Sequence, residues 1–332
     1  STCSMRCANG REATTRSCAR LRREAAIIFI ALVICCVDLT ARIRRRRSIR
    51  DGIELNYDLD SDLSPKSGTK DFHKIRAMAD KIGIAISGLC SFLFWPYPLV
   101  SNDASKRARG LELAGMMAQA AHDLGTENLL VVPGAVCIPW RDDHEPVPND
   151  VCDKRAREAV AKLLPAAEKL KVHLNIENIF FNGYLMTPGE VADFVDSFKS
   201  EYVRVHFDTG NIALFQYPEH WVSILGKRIK NVHLKEFTKK GTDHSLESFR
   251  PLLDGTTNWP ALLDAFDSTG YRGYLTFEYF HPYQHFRRRS HDRDGAHADE
   301  IHVRRRVDVA QRPIDRERIG GHLSLEPLRE HD

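Results

Sequence analysis

The chain has 332 residues, 42% hydrophobic and 28% charged, enough for one large domain or two ordinary ones. That length excludes a disulfide-stapled miniprotein, and that apolar content excludes disorder throughout. Net charge is +3, from 48 Lys and Arg against 45 Asp and Glu, and says little until the basic residues are placed along the chain.

All 15 lysines lie between Lys66 and Lys240, whereas 12 of the 33 arginines fall in residues 1–50 and 11 in residues 286–332. The ends therefore differ in kind from the middle, as a shifted reading frame at both ends would produce; comparing all three frames of the coding DNA tests that. Residues 1–50 form an atypical Arg/Cys-rich segment with five of the eight cysteines. Its one apolar stretch, Ala25 to Val37, is 13 residues long, short of the roughly 20 needed to cross a bilayer. A buried strand or helix, or sequence foreign to the domain behind it, is preferred over a signal-peptide core, because the lead before it is long and no clean cleavage site follows.

From residue 52 on, short apolar or β-branched runs alternate with longer amphipathic ones. Strands are expected at Gly52–Asn56, Ala85–Leu89, Asn128–Val132, Val172–Glu177, Tyr202–Asp208, Ile229–Leu234 and Gly273–Glu278. Helices are expected at Phe72–Ile82, Asp103–Leu124, Asp150–Leu170, Pro188–Phe198, Pro218–Leu225 and Pro260–Ser268. Thr187, Pro188 and Glu190 spell a capping box with proline at the first helical position. Seven strands in one unbroken series, none followed by a dinucleotide-binding glycine fingerprint, favour a (β/α)8 TIM barrel over a doubly wound sheet. The series is one strand short at the front: residues 26–37 supply it or it is missing, and the last helix would have to come from the tail. Residues 286–332, rich in Arg and His, are expected to be a disordered tail. Acidic residues interrupt its basic ones and no aromatics interleave for base stacking, so nucleic acid is not expected as a partner. Cys90, Cys137 and Cys152 lie far apart in the body with no CxxC pair, the usage of a reducing, cytoplasmic compartment.

In such a barrel the chemistry sits at the C-terminal ends of the strands. There the runs HLNIEN, VRVHFDTGN, NVHLKE and YLTFEY place Glu177, Asp208, His233 and Glu278 on four consecutive strands. Because side chains alternate along a strand, Asn175 shares a face with Glu177, His206 with Asp208, and Lys235 with His233. Three carboxylates so close need a cation between them. An oxygen-rich set with one imidazole suits Mn²⁺, Mg²⁺ or Co²⁺ better than a structural zinc, which prefers thiolates. Any one of these residues alone is more often a structural group; it is the four at equivalent strand positions that point to a site.

These runs, with GIELNYD on the second strand and LGTENLLVVPGA on the fourth, resemble the sugar isomerase and epimerase superfamily of xylose isomerase-like TIM barrels. The resemblance spans about residues 51–285. It implies that Glu177, Asp208, His233 and Glu278 hold one divalent ion and that Glu177 and Glu278 are also the catalytic acid/base pair. It further implies proton transfer beside a ketose carbonyl through a cis-enediolate, giving an epimer or an isomer according to which carbon takes the proton back. Ketose 3-epimerases acting on free sugars usually carry a histidine where this chain has Asn211, and an arginine where it has Lys239. The Gly210–Asn211 pair looks more like the sugar-phosphate 3-epimerases.

Lys235 and Lys239 are candidates for a substrate oxyanion or phosphate, with ordinary loop lysines as the plain alternative. Glu54 is read as a substrate hydrogen-bonder or a charge paired within the barrel. Trp95 and Tyr97, with Trp140 further on, are read as an apolar wall over a sugar face or as packing, and His281 as a mouth residue or a solvated one. His206 and Asn211 complete the substrate-binding candidates. The same scaffold hosts cyclitol dehydratases and hydroxypyruvate-type isomerases, and an inactive barrel with altered termini is the non-enzyme alternative. Endonuclease IV-like repair needs several strand-end histidines, and only His206 and His233 are so placed. A small-molecule sugar or sugar phosphate is the expected partner, with no membrane, and the oligomeric state is left open, although barrels of this kind often pair as homodimers.

Overall fold

The structure, a computed structural model, describes residues 31–35, 52–138, 145–241 and 244–278. Seven strands run parallel, each expected one present: β2 (Gly52–Asn56), β3 (Ala85–Cys90), β4 (Asn128–Val131), β5 (His173–Glu177), β6 (Val203–Asp208), β7 (Ile229–Leu234) and β10 (Tyr274–Phe277). The missing front strand is β1 (Ala31–Cys35), within the apolar run that the sequence offered for it. It lies antiparallel to both neighbours, Leu32 opposite Phe277 and Ala31 opposite Glu54, and closes the barrel between β10 and β2. A five-residue apolar run carries no signal of direction, and pairing either way removes two exposed sheet edges. The remaining strands, β8 (Glu236–Phe237) and β9 (Phe249–Arg250), form a small antiparallel ribbon in the excursion after β7.

Helices alternate with the parallel strands: α1 (Thr69–Ile82), α2 (Ala104–Leu124), α3 (Asn149–Leu170), α4 (Pro188–Asp196), α5 (Pro218–Leu225) and α6 (Trp259–Ser268). Local chemistry sets their starts. Asp103 accepts from the amides of Ser105 and Lys106 ahead of α2, and Asn258 accepts from Ala261 N ahead of α6. The expected capping box is in place at α4, Glu190 N donating to Thr187 Oγ1 and Thr187 N to the Glu190 carboxylate. Helix α1 begins three residues earlier than its apolar period suggests, because Asp71 accepts from Gly68 N and extends the first turn.

The main core lies between the strand wall and the helices. Leu174 and Ile176 of β5, Val205 and Phe207 of β6, and Val232 of β7 are buried with Met117 and Ala121 of α2 and Val160 of α3. Phe207 stacks on Trp221 of α5, centroids 5.9 Å apart. A second cluster, Phe180, Ala213, Phe237 and Phe249, sits beyond the ends of β5, β6 and β7 and roofs that side of the barrel. The alternation that turns Ile176, Phe207 and Val232 outward turns Glu177, Asp208 and His233 inward. No helix among the described residues is long and apolar enough to cross a membrane.

Candidate functional site

Glu177 ends β5, Asp208 ends β6, His233 lies one residue from the end of β7, and Glu278 follows β10 with its amide still bonded to Leu234 O at 3.1 Å. Register aligns them: Glu177 pairs with His206, and Asp208 with His233. One ligand atom from each of Glu177, Asp208, His233 and Glu278 lies within 4.8 Å of every other. His233 Nδ1 is 2.7 Å from Glu278 Oε2 and 3.6 Å from Glu177 Oε1.

Asp208 is the most rigidly held. Its Oδ1 accepts from the amides of Gly210 and Asn211, both at 2.8 Å, which leaves Oδ2 facing the centre. Asn178, absent from the sequence candidates, splices β5 to β6: its Oδ1 accepts from Asp208 N at 2.9 Å and its Nδ2 donates to Asp208 O at 2.8 Å. The signal was there in the closing asparagine of HLNIEN. Gly210 is required by space, since a Cβ there would fall 2.8 Å from Lys235 Cβ.

Lys235 reaches the same centre, its Nζ 2.9 Å from Asp208 Oδ2, 3.0 Å from Glu278 Oε2 and 3.3 Å from Asn211 Oδ1. Phe249 covers it, 5.4 Å from the ammonium to the ring centroid. Glu54, on β2, is 2% exposed and stands behind His233, with Oε2 at 2.5 Å from Nε2. His206 lies edge-on to His233, centroids 4.0 Å apart, and neither of its ring nitrogens has a hydrogen-bond partner. Lys239 is held on the loop before α5, donating to Gln216 O at 3.3 Å with its Nζ 4.1 Å from the Tyr217 ring centroid. Trp95 and Tyr97 pack half-buried against the main core. Trp140 and His281 lie outside the described residues.

Burial pushes the Glu177 carboxyl up to about 7, with Asp208 and Glu278 adding to the rise and His233 opposing it. Burial likewise raises Asp208, against the pull of Lys235. For Glu278 burial acts upward but loses to Lys235 and His233, and its carboxyl is held far below the usual range. The cations are the mirror image: burial opposes the charge on His233 and on Lys235, and the carboxylates around each override it and raise both. Two buried positive charges thus face a ring of carboxylates.

The donor set fits a divalent ion. Asp208 Oδ2 and His233 Nδ1 both face the shared centre, Oδ2 2.9 Å from Lys235 Nζ and Nδ1 2.7 Å from Glu278 Oε2. Three carboxylates and one imidazole whose donor atoms lie within 4.8 Å of one another are a hard-cation set. His206, Glu54 and His233 also converge, within 4.8 Å of one another, deeper in the barrel.

A closed barrel with a carboxylate-rich cluster at the C-terminal strand ends is the arrangement of a TIM barrel whose candidate site lies at its mouth. The family profile described as xylose isomerase-like TIM barrel matches residues 50–306, and the chain belongs to that family. Among solved structures it is similar to a D-tagatose 3-epimerase-like protein (18% identity, TM-score 0.56, covering 72% of this chain and 84% of that one). It is also similar to an L-ribulose 3-epimerase (20%, 0.58, 74% and 78%) and to D-psicose 3-epimerase from Clostridium cellulolyticum H10 (17%, 0.57, 73% and 78%). No curated protein sequence matches it.

Proposed function

We propose that the chain is a divalent-metal-dependent isomerase or epimerase of a ketose sugar or sugar phosphate. The observation that carries this reading is the convergence of Glu177, Asp208, His233 and Glu278 within 4.8 Å at the mouth of the barrel. Those four residues would hold one Mn²⁺, Mg²⁺ or Co²⁺, whose charge stabilises the two oxygens of a cis-enediolate when it is bound.

The two glutamates supply the proton chemistry. One takes the proton from the carbon beside the carbonyl, and the electron pair moves onto the carbonyl oxygen. The other returns a proton, to the opposite face of the same carbon for an epimer or to the neighbouring carbon for an isomer. Their environments differ: Lys235 and His233 keep Glu278 ionised and ready to accept, while burial makes Glu177 the readier holder of a proton. Lys235 and Asn211, side by side at the same centre, are placed to meet a substrate oxygen. On that side Phe249 lies over the Lys235 ammonium and packs against Phe180.

The test is exchange of solvent deuterium into ketoses and ketose phosphates, followed by NMR with Mn²⁺, Mg²⁺ or Co²⁺ present. Exchange at the carbon beside the carbonyl, abolished in Glu177→Gln and in Glu278→Gln, is the expected result. No exchange into any ketose with any of the three ions, or turnover unchanged in both variants, refutes the reading.

A further inference from the structure

Glu54 does not share the mouth with the four strand-end residues, yet its carboxylate is completely engaged. Its Oε2 lies 2.5 Å from His233 Nε2, and its Oε1 accepts from Asn231 Nδ2 at 3.4 Å. Glu54 stands on β2 and His233 on β7, three strands apart round the barrel with β1 and β10 between them, so this contact crosses the interior. Space for it exists because residue 88 of β3 is glycine: a Cβ there would fall 2.7 Å from Glu54 Oε1 and 3.2 Å from Asn231 Nδ2. The backbone of Gly88 has an ordinary negative-φ conformation, so it is room, not flexibility, that excludes a side chain.

An imidazole has two nitrogens, and whichever bears the proton cannot ligate a cation. A carboxylate fixed at Nε2 keeps a hydrogen there, so a cation would take the place of the proton on Nδ1, the nitrogen that faces Glu177 and Glu278. The geometry points to Glu54, wedged by Gly88 and Asn231, as the positioning residue that selects the tautomer and ring orientation of His233 for metal binding. Glu54 acts through His233 and not on substrate. A carboxylate behind a ligating histidine also makes the ring more basic, and losing such a partner typically weakens metal affinity about 10–100-fold. The inference rests on the proposed reading of the four-residue centre.

The test measures Mn²⁺ binding by calorimetry on the full chain, for wild type, Glu54→Gln, Gly88→Ala and His233→Ala. Glu54→Gln keeps the shape and removes the charge. Gly88→Ala keeps every donor and acceptor and pushes the carboxylate aside. Both are expected to bind Mn²⁺ about 10–100-fold more weakly, and because Glu54 is one partner of a buried pair, metal-free Glu54→Gln protein is expected to stay folded but melt below wild type. In Mg²⁺-loaded wild type with ¹⁵N-labelled histidine, the His233 proton is expected on Nε2. Glu54→Gln binding Mn²⁺ as tightly as wild type while His233→Ala has lost it overturns the positioning role and leaves the metal centre standing, as does an Nδ1–H tautomer in the loaded protein. Wild-type protein that binds no Mn²⁺, or His233→Ala that binds it normally, overturns the metal centre and this inference with it.

Discussion

At the scale of single residues, the centre is a problem of charge held out of water. Lys235 is the only lysine paired with both Asp208 and Glu278, and it is almost fully buried. Removing one partner of a buried pair leaves the others uncompensated, at a cost of about 3–5 kcal/mol. Lys235→Met is therefore expected to lower the melting temperature of metal-free protein, and added Mn²⁺ to recover more of that loss than it adds to wild type. Thermal unfolding with EDTA and with Mn²⁺ measures both; equal Mn²⁺ shifts would show that no ion substitutes for the ammonium. The four strand-end residues were legible in the sequence, because period-two alternation and a polar residue at each strand end suffice to put them together. The place of Glu54 was only half legible: a charge paired within the barrel was foreseen, but nothing in GIELNYD says that β2 faces β7 across the interior. Lys239, read either as a substrate-oxyanion contact or as an ordinary loop lysine, reaches Gln216 O and the Tyr217 ring, a loop contact that spacing along the chain does not encode.

At the scale of elements, every parallel strand and every helix lies where its period put it, with shifts of a few residues at the ends. The direction of β1 was not legible, since an apolar run fits either orientation. The ribbon of β8 and β9 was missed too, its strands being only two residues each. What holds that excursion is Glu236, the neighbour of Lys235 on the opposite face of the chain. Its carboxylate accepts from Thr257 Oγ1 and Trp259 Nε1, both at 2.6 Å, and from the amides of Leu253 and Thr257. Gly255 lies against it, with no room for a Cβ. Glu236→Gln sets an amide donor against these donors, and an unmet buried group costs about 1–3 kcal/mol. Chemical denaturation should show a loss of that size, and amide exchange should be faster across residues 249–259; unchanged exchange there would mean the knot is dispensable.

For the whole molecule, the sheet is closed, and the core that surrounds it sets the response to alkali. Burial pushes the Cys152 thiol up to about 12 from an ordinary 9.0, and burial, with Asp153 nearby, raises the Tyr184 phenol well above its ordinary 10.0. Both groups stay protonated in the folded chain while the unfolded chain ionises. The unfolded state therefore binds fewer protons above pH 9, and stability falls as pH rises, by at most about 1.4 kcal/mol per pH unit for each group. Denaturation midpoints at pH 7.5 and 10.5 are expected to differ in that direction, with Cys152→Ala reducing the difference; a flat profile would contradict it. The family membership was legible in the four strand-end runs, whereas the sugar is not written in any residue of the barrel wall.

His233 and Lys235 stand two residues apart on one strand. A slip of β7 by a single residue would swing both toward the helix layer together and leave Glu54, Glu177, Asp208 and Glu278 confronting one another across a dry interior. Such a misaligned chain is expected to be less stable than the aligned one, because buried carboxylates would face one another without His233 and Lys235 between them. The two cations that hold the carboxylates together in the aligned barrel therefore also favour that register of β7 over its one-residue slip.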